Sequence, residues 1–348
     1  MTILPIAPRI VVLGSGSWGT AIASSLARNG RPVTLWSHSH EAARAIATAR
    51  ENRKYLPGFR LPDSITVTGD DAAIAHADIL VSVVPSDFLR PVMARLRGHM
   101  RAGHILLSAT KGLAAGPASS PEKDSFLRIS QVLAASLAEV ELTLPIGSLS
   151  GPSFAQEVAA GQPTAITVAF DDHAIAALVQ REFASESLRL YTSSDLIGVE
   201  LGGALKNVIA IAAGITAGMG LGSNSMAGLI TRGIAEMTRL AVSCGGRRET
   251  LAGLAGLGDL VLTCTGTLSR NRTVGVELGK GRKLPEILAS LGGKVAEGVH
   301  TTRAALGLAR QQRVEMPITE QMELILDHSK NPREAIKDLM LRPGKHEH

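Results

Sequence analysis

One lysine stands in an almost wholly apolar stretch of the sequence. Residues 200–214 are Glu-Leu-Gly-Gly-Ala-Leu-Lys-Asn-Val-Ile-Ala-Ile-Ala-Ala-Gly, and Lys206 is their only cation. The stretch is predicted to be a buried helix, because helices that are apolar on every side lie in protein interiors. Burial lowers the pKa of a lysine towards neutrality, as a reversible proton donor requires. Lys206 is therefore a candidate catalytic acid–base, and the alternative is a core helix whose lysine reaches the surface.

Two adjacent glycines, Gly202 and Gly203, lie near the start of this predicted helix. Each lowers helix propensity by ~1 kcal/mol relative to alanine, so another constraint must favour them. Close approach of a second backbone or of a ligand is such a constraint. Because Lys206 is only a few residues away, we expect cofactor or substrate to approach there.

A glycine-rich turn near the N-terminus is typical of dinucleotide binding. Gly14-Ser15-Gly16-Ser17-Trp18-Gly19 follows a predicted strand at 9–13 and precedes a predicted helix and a second strand. In this context Gly14 permits the tight turn, Gly16 lets the backbone approach a pyrophosphate, and Gly19 lets helix and strand pack closely. Free N–H groups at the helix N-terminus would bind the phosphates.

The second predicted strand, residues 31–36, is not followed by the acidic residue that binds the ribose 2′-hydroxyl in NAD-restricted enzymes. Ser37, His38, Ser39 and His40 come next, and the first acid is Glu41. A 2′-phosphate is therefore tolerated, so NADP is permitted as well as NAD. His38 or Ser37 could contact that phosphate, or His38 could be an ordinary solvated loop histidine.

Strands and helices alternate in the first half of the chain, and helices alone follow. Apolar runs at 65–68, 78–84, 105–109, 145–149, 164–170 and 188–191 predict strands, whereas 41–60 is predicted to be helical apart from a turn at 55–58. The pattern predicts an α/β fold with a Rossmann-type dinucleotide-binding domain at 1–193. An all-helical substrate domain at 194–342 and a polar tail at 343–348 complete the predicted organisation.

Two predicted strand ends carry candidate ligand residues. Lys111 follows the strand at 105–109, and Gly151, Pro152 and Ser153 follow the strand at 145–149. Doubly wound sheets bind ligands beyond the carboxyl ends of their strands. The position favours a ligand role for Lys111 over a solvated lysine.

The helical half offers a carboxylate and a phosphate-binding site. Asp259 would lie in the first turn of a helix, with Thr263 four residues later on the same face. Ser269 would cap the helix 270–279, and Arg270 and Asn271 beside its free N–H groups would bind phosphate. Helix capping alone, with solvated arginines, would give the same spacing.

Composition excludes several classes of function. The 348 residues exceed what one core usually holds, and aromatic residues, at 3%, are too few for a surface that stacks single-stranded nucleic acid. The net charge of +5 is scattered and suits a small anion. Cys244 and Cys264 lack metal-ligand spacing, so no metal is expected. We expect a cytoplasmic protein without a signal peptide or membrane insertion, and a homodimer is the default assembly.

Together these motifs resemble the bacterial-type NAD(P)-dependent glycerol-3-phosphate dehydrogenases. The resemblance covers roughly residues 9–340. It rests on the 200–214 stretch and on Gly-Ser-Gly-Ser-Trp-Gly-Thr-Ala at 14–21, Ala-Thr-Lys-Gly-Leu at 109–113, Ser-Gly-Pro-Ser-Phe-Ala at 150–155, Gly-Leu-Gly-Asp-Leu-Val-Leu-Thr-Cys-Thr at 256–265 and Ser-Arg-Asn-Arg at 269–272. It implies reduction of dihydroxyacetone phosphate by NAD(P)H to sn-glycerol 3-phosphate, which feeds phospholipid synthesis.

The resemblance also implies residue roles, with Lys206 as proton donor in the reduction. Substrate contacts would fall on Lys111, Gly151, Ser153, Lys206, Asp259, Ser269, Arg270 and Asn271. Cofactor contacts would fall on Gly14, Gly16, Ser17, Trp18, Gly19, His38, Lys111, Ala155, Arg270, Val295 and Glu297. Two features depart from the family pattern, Ser15 in place of the commoner alanine and a longer region at 113–125.

Two other interpretations stay open. A 3-hydroxyacid or 6-phosphogluconate dehydrogenase also joins a dinucleotide domain to a helical one and uses a helix lysine. A nucleotide-sensing protein without catalysis would need the glycine turn but has no use for a buried lysine beside a phosphate-binding site.

Arg270→Ala should raise the KM for the phosphorylated substrate by roughly tenfold or more, because a charge-assisted hydrogen bond contributes about 1.5–3 kcal/mol. Initial rates with varied dihydroxyacetone phosphate at saturating NADPH measure it. An unchanged KM would remove Arg270 from the predicted phosphate-binding site.

Overall fold

The computed structural model describes residues 7–115, 126–291, 296–344 and 346–347. These residues form two compact units. The first contains 7–114 and 127–200, and the second contains Ala115, Phe126 and the described residues from 201 onwards. The units divide between Glu200 and Leu201, whereas the sequence places the functional domain boundary at 193–194, which stays a prediction.

A mostly parallel sheet forms the centre of the first unit. Eight strands follow the order β12-β11-β10-β7-β6-β1-β2-β5. Neighbours from β5 to β10 are parallel, whereas β11 is antiparallel to β10 and parallel to β12. The strands of the chain are β1 (Ile10–Leu13), β2 (Val33–Trp36), β3 (Glu51–Asn52), β4 (Leu56–Arg60), β5 (Ile65–Thr68), β6 (Ile79–Ser82), β7 (Ile105–Ser108), β8 (Leu113–Ala115), β9 (Phe126–Arg128), β10 (Ile146–Ser150), β11 (Thr164–Ala169) and β12 (Leu188–Ser193).

Both faces of this sheet are covered by helices. Along β1, Ile10 and Val12 belong to one hydrophobic cluster and Val11 and Leu13 to another, as expected when alternate side chains point to opposite faces. A sheet buried on both faces needs continuous apolar strands, so the α/β fold predicted from the apolar runs is confirmed. The helices up to residue 183 are α1 (Ser17–Arg28), α2 (His40–Ala49), α3 (Ser86–Leu96), α4 (Ile129–Ala138), α5 (Ala155–Ala159) and α6 (His173–Phe183).

The second unit is helical almost throughout its described residues, as predicted. Its helices and the one that leads into it are α7 (Leu196–Gly218), α8 (Ser223–Ser243), α9 (Arg248–Ala252), α10 (Asp259–Thr265), α11 (Arg270–Gly279), α12 (Leu284–Ser290), α13 (Glu297–Gln312), α14 (Pro317–His328) and α15 (Pro332–Met340). Within the described chain, α7 alone has the length and hydropathy of a membrane span, but 94% of its apolar window is buried inside the protein. The sequence did not predict α15.

Two buried carboxylates cap helices through backbone N–H groups. Glu200 accepts from the N–H of Ser130 at 2.7 Å, at the start of α4. Glu236 accepts from the N–H groups of Ile318 and Thr319, both at 2.9 Å, at the start of α14. Burial raises the pKa of both carboxyl groups. These bonds satisfy amides that a helix N-terminus leaves without intrahelical partners.

The prediction of a helix over 41–60 is wrong beyond Ala49. Arg50 adopts a left-handed conformation with φ of 51° and ends α2. Strands β3 and β4 then pair antiparallel, and we call residues 51–60 the 51–60 hairpin. A tertiary contact explains the difference, because the buried Asn52 hydrogen-bonds to groups of the glycine turn and α1. The short strands β8 and β9 were also not predicted, and residues 116–125 between them lie outside the described residues.

One buried histidine lies immediately before β7. His104 has no exposed surface, and its pKa is lowered from 6.5 to about 4. Burial disfavours the charged imidazolium, and the guanidinium of Arg101 disfavours it further. The folded protein therefore holds His104 neutral where the unfolded chain would protonate it.

Lowering the pH from about 7 to about 5 should destabilise the wild-type fold by about 1–2 kcal/mol more than the His104→Asn variant. A folded pKa below the unfolded value means that stability falls as the pH falls from 6.5 towards 4. Urea unfolding followed by circular dichroism at both pH values measures the difference. His173→Asn, at an exposed position, should keep the wild-type pH dependence. An identical dependence in His104→Asn would contradict the assignment.

Candidate active site

The fold of the first unit requires glycine at two positions of the glycine turn, Gly14 and Gly19. At the third position, Gly16, a side chain would meet open space. Gly14 has φ of +119°, and a Cβ at Gly19 would lie 1.9 Å from the carbonyl oxygen of Gly14. A Cβ at Gly16 would meet no atom within 4 Å. Gly16 is the N-cap of α1, whose first N–H groups have no intrahelical acceptor. The open space beside these donors fits the pyrophosphate of a dinucleotide.

Three residues predicted to contact cofactor lie around the start of α1 and of α5. The hydroxyl of Ser17 donates to the carbonyl oxygen of Tyr55 at 2.6 Å, so that its one hydrogen is already used. Trp18 and Ala155 pack against the same small hydrophobic cluster, which contains Leu56 and Val158. The structure therefore places Trp18 and Ala155 on one hydrophobic cluster, and any contact of Ser17 with a ligand uses its amide or its oxygen.

His38 is exposed just beyond β2. The guanidinium of Arg95 donates to the carbonyl oxygen of His38 at 3.0 Å. The same guanidinium forms two bonds with the carboxylate of Asp71, at 2.6 and 2.7 Å. The backbone at the position expected for the ribose is thus fixed by Arg95, while the imidazole of His38 faces solvent.

Lys111, Gly151 and Ser153 lie together in the first unit. The ammonium of Lys111 donates to the carbonyl oxygen of Gly151 at 2.8 Å and lies 3.4 Å from the hydroxyl of Ser153. That hydroxyl donates to the Gly151 carbonyl at 2.9 Å. Gly151 has φ of +137°, which favours glycine. The ends of β7 and β10 therefore place the predicted substrate residues side by side.

In the second unit, Lys206 has a buried side chain surrounded by oxygen atoms. Its Nζ lies 3.2 Å from Oδ1 of Asp259, and the two side chains are 7% and 2% exposed. It donates to the hydroxyl of Thr263 at 2.9 Å, and Oδ1 of Asn207 lies 3.3 Å away. Thr263 in turn donates to the carbonyl oxygen of Asp259 at 2.6 Å. The predicted shared face of Asp259 and Thr263 is confirmed, and Lys206 does not reach the surface.

The close approach expected at Gly202 involves the protein's own backbone. A Cβ on Gly202 would lie 2.5 Å from the carbonyl oxygen of Ala255. Ala255 belongs to a short π-helix, Leu254–Gly258, which leads directly into α10. A second backbone, one of the two expected alternatives, thus accounts for Gly202, and the approach of cofactor or substrate there stays a prediction. The glycine lets α7 contact the segment that positions Asp259.

Asn207 and Asn271 extend the network from Lys206 to the start of two further helices. The amide of Asn271 donates to Oδ1 of Asn207 at 2.9 Å and accepts from the N–H of Gly298 at 3.0 Å. Glu297 precedes Gly298 as the first residue of α13. Asn207, which follows Lys206 in the sequence, thus joins the lysine to Asn271. Val295 lies outside the described residues.

The start of α11 matches the predicted capped helix. Ser269 is buried, and its hydroxyl oxygen accepts from the N–H of Arg272 at 3.2 Å, which confirms it as the N-cap. Arg270 is the first residue of the helix and is exposed. A buried cap, an amide and an exposed guanidinium thus surround one helix N-terminus, which is the composition of a phosphate-binding site.

Paired glycines bring α7 and α11 into backbone contact. A Cβ on Gly275 would lie 2.0 Å from the carbonyl oxygen of Ile211, and one on Gly214 would lie 2.1 Å from that of Arg272. Four residues further on, a Cβ on Gly218 would lie 2.2 Å from the carbonyl oxygen of Val276, and one on Gly279 would lie 2.5 Å from that of Ile215. The spacing of four residues between these glycines is a sequence signal for the helix contact. It places the start of α11 beside Asn207.

Cys264 lies beside this network, but its thiol is not a nucleophile. It is fully buried on α10, next to Thr263. Burial raises the pKa of its thiol to about 12. The thiol is therefore neutral at physiological pH, and the thiolate that nucleophilic chemistry requires is not formed.

Comparisons with known proteins agree over nearly the whole chain. The family models for the NAD-dependent glycerol-3-phosphate dehydrogenase N-terminus and C-terminus match residues 9–176 and 195–337. Glycerol-3-phosphate dehydrogenase (NAD(P)+) of Acidobacterium capsulatum is 57% identical over 344 residues, 97% of this chain and 99% of the relative. The enzyme of the same name from Koribacter versatilis is 51% identical over 338 residues, 97% and 98% of the two chains. A crystal structure of glycerol-3-phosphate dehydrogenase from Coxiella burnetii has a TM-score of 0.90 at 38% identity and covers 97% of this chain and 100% of its own.

Gly275→Ala should lower the free energy of unfolding by about 1–3 kcal/mol or more, because the added methyl group overlaps the backbone of α7. Gly228→Ala is a matched control inside α8, where a Cβ would meet no atom within 4 Å. It should stabilise the protein by about 0.5–1 kcal/mol through helix propensity. Urea unfolding of both variants measures the contrast, and equal effects would refute the close contact.

Proposed function

This chain belongs to the NAD-dependent glycerol-3-phosphate dehydrogenase family, and we propose that Lys206 exchanges the proton in its reaction. The chain is an oxidoreductase that interconverts dihydroxyacetone phosphate and sn-glycerol 3-phosphate with NAD(P)H and NAD(P)+. The observation that supports this role is the buried ammonium of Lys206 beside Asp259 and Thr263. The carboxylate of Asp259 stabilises the protonated form that must donate.

The proton moves from Lys206 to the substrate oxygen. Bound NAD(P)H supplies the hydride to the carbonyl carbon. Negative charge then develops on the carbonyl oxygen, and the Nζ of Lys206 gives it a proton to form the hydroxyl group. The neutral amine is reprotonated before the next turnover. In the oxidative direction, the amine of Lys206 takes the proton of the hydroxyl group.

The oxygen atoms around Nζ support one side for substrate entry. An ammonium has three N–H groups, and Asp259, Thr263 and Asn207 lie 3.2, 2.9 and 3.3 Å away. We propose that the incoming carbonyl oxygen takes the place of one of these neighbours. Asn207 is the most distant, and its Oδ1 also accepts from Asn271. We therefore place the substrate oxygen on the Asn207 side of Lys206.

The phosphate of the substrate is assigned to the N-terminus of α11. Arg270 supplies an exposed charge. Within the described residues the Asn271 amide uses one N–H on Asn207, and we assign its second N–H to the phosphate. Ser269 accepts from Arg272 and keeps a hydroxyl hydrogen to donate. Lys111, Gly151 and Ser153 are assigned further substrate contacts.

The cofactor is assigned to the glycine turn of the first unit. The pyrophosphate would lie over Gly16 and the N–H groups of Ser17 and Trp18, with the ribose near His38. We also assign cofactor contacts to Gly14, Gly19, Lys111, Ala155, Arg270, Val295 and Glu297. Because Ser37 and His38, and no carboxylate, directly follow β2, NADPH and NADH should both be accepted.

The biological setting follows the family. We propose that the enzyme acts in the cytoplasm and supplies sn-glycerol 3-phosphate for phospholipid synthesis. The burial of α7 supports an enzyme that does not insert into membranes. A homodimer is the proposed assembly, with neither nucleic acid nor metal as a partner.

Lys206→Ala should lower kcat by ~10²–10⁴, the usual contribution of a general acid. The affinity for NADPH should be largely kept, because Lys206 acts on the substrate. Absorbance of NADPH with dihydroxyacetone phosphate measures the rate, and fluorescence titration measures the affinity. Lys283→Ala, at an exposed lysine of the same unit, should retain wild-type activity.

The same assay separates the competing functions. Turnover of 3-hydroxyacids or 6-phosphogluconate without turnover of dihydroxyacetone phosphate would refute the proposed substrate. A nucleotide sensor would be indicated instead if the wild type and Lys206→Ala both bind NADPH and are equally inactive.

A further inference from the structure

One buried amide of the 51–60 hairpin bonds to the glycine turn. Asn52 is 1% exposed. Its Nδ2 donates to the carbonyl oxygen of Ser15 and to the hydroxyl of Thr20, both at 2.8 Å. Its Oδ1 accepts from the N–H of Tyr55 at 3.2 Å. Both amide hydrogens are therefore used on the glycine turn and α1, while the oxygen fixes the hairpin's own bend.

A second bond joins the hairpin to the other side of the turn. The hydroxyl of Ser17 donates to the carbonyl oxygen of Tyr55 at 2.6 Å. The hairpin therefore holds the backbone immediately before Gly16 through Ser15 and the residue immediately after it through Ser17. Gly16 itself stays open, with no atom within 4 Å of an added Cβ.

Peptide geometry transmits this contact to the cofactor site. The carbonyl of Ser15 and the N–H of Gly16 belong to one planar trans peptide, so they point in opposite directions. A bond that fixes the Ser15 carbonyl also fixes the direction of the Gly16 N–H. Thr20, which accepts the second amide hydrogen, closes the first turn of α1 through its N–H bond to the Gly16 carbonyl at 2.9 Å. Both peptide groups of Gly16 are thus oriented from the hairpin side.

We propose that Asn52 is a positioning residue for cofactor binding, which holds the glycine turn in the conformation that accepts the pyrophosphate. This inference rests on the proposed function, because it requires the turn to bind NAD(P)H. Asn52 does not itself touch the cofactor. Its loss should weaken the binding of ligands that carry a pyrophosphate and spare those that do not.

Asn52→Asp is the most direct test. The carboxylate keeps the shape and can still accept from the N–H of Tyr55, but it cannot donate to the Ser15 carbonyl. The Kd for NADPH, from fluorescence titration, should rise by about tenfold or more, the equivalent of one to two hydrogen bonds. The inhibition constant of ADP should rise in parallel. That of adenosine 2′-phosphate, which has no pyrophosphate, should change less than about twofold.

Asn29→Asp is the matched control. Asn29 lies at the opposite end of α1, where its amide donates to the carbonyl oxygen of Ala184. It should leave the Kd for NADPH within about twofold of wild type even where its melting temperature falls as far as that of Asn52→Asp. Equal losses of affinity in the two variants, or an unchanged Kd in Asn52→Asp, would overturn the proposal.

Thr20→Val keeps the test decisive if Asn52→Asp does not fold. It removes one acceptor of the Asn52 amide at nearly constant volume and should raise the Kd for NADPH about threefold, roughly half the effect in free energy. An unchanged Kd would overturn the proposal. A wild-type chain that binds NADPH but does not reduce dihydroxyacetone phosphate would refute the proposed function. The comparison of Kd values would still test the positioning role of Asn52. A wild-type chain that does not bind NADPH would overturn both.

Discussion

The contact between the Lys206 ammonium and the Asp259 carboxylate constrains how α7 and α10 pack in the second unit. Both side chains are almost completely withdrawn from water, and either charge alone would cost several kcal/mol to bury. Their attraction offsets that cost only while α7 and α10 keep their relative position. The oxygens of Thr263 and Asn207 then accept hydrogen bonds from the N–H groups of Lys206 that Asp259 does not use. A site that stabilises a charged lysine in this way demands rigid helices around it.

Glycines supply the rigidity by letting helix backbones touch. Gly202 meets Ala255 before α10, and Gly298 at the start of α13 meets the carbonyl oxygen of Asn207. At such short separations, side chains as small as asparagine and threonine reach across from one helix to the next. The polar network of the site therefore depends on residues that carry no functional group. Longer side chains would be needed if the helices stood further apart, and they would lose more conformational entropy on ordering.

The sequence predicted most of what depends on local pattern. Apolar runs identified the strands of the sheet, the glycine turn identified the dinucleotide site, and Ser269 identified a helix cap. It failed where distant residues decide the outcome. Asn52 sits in a polar segment with ordinary helix propensity, and its bonds to Ser15 and Thr20 are made with residues more than thirty positions away. The partner of Gly202 lies more than fifty residues away, so no local pattern could name it.

The buried thiol of Cys264 gives this protein an internal reporter of helix opening. Alkylating reagents react with thiolates, and a thiol with a pKa of about 12 inside the core offers almost none. The residue stands next to Thr263, on the helix that begins with Asp259. The rate at which Cys264 is alkylated therefore measures how often α10 opens away from Lys206. Hydrogen exchange would average over many amides, whereas this single sulfur follows the one helix on which the ion pair depends.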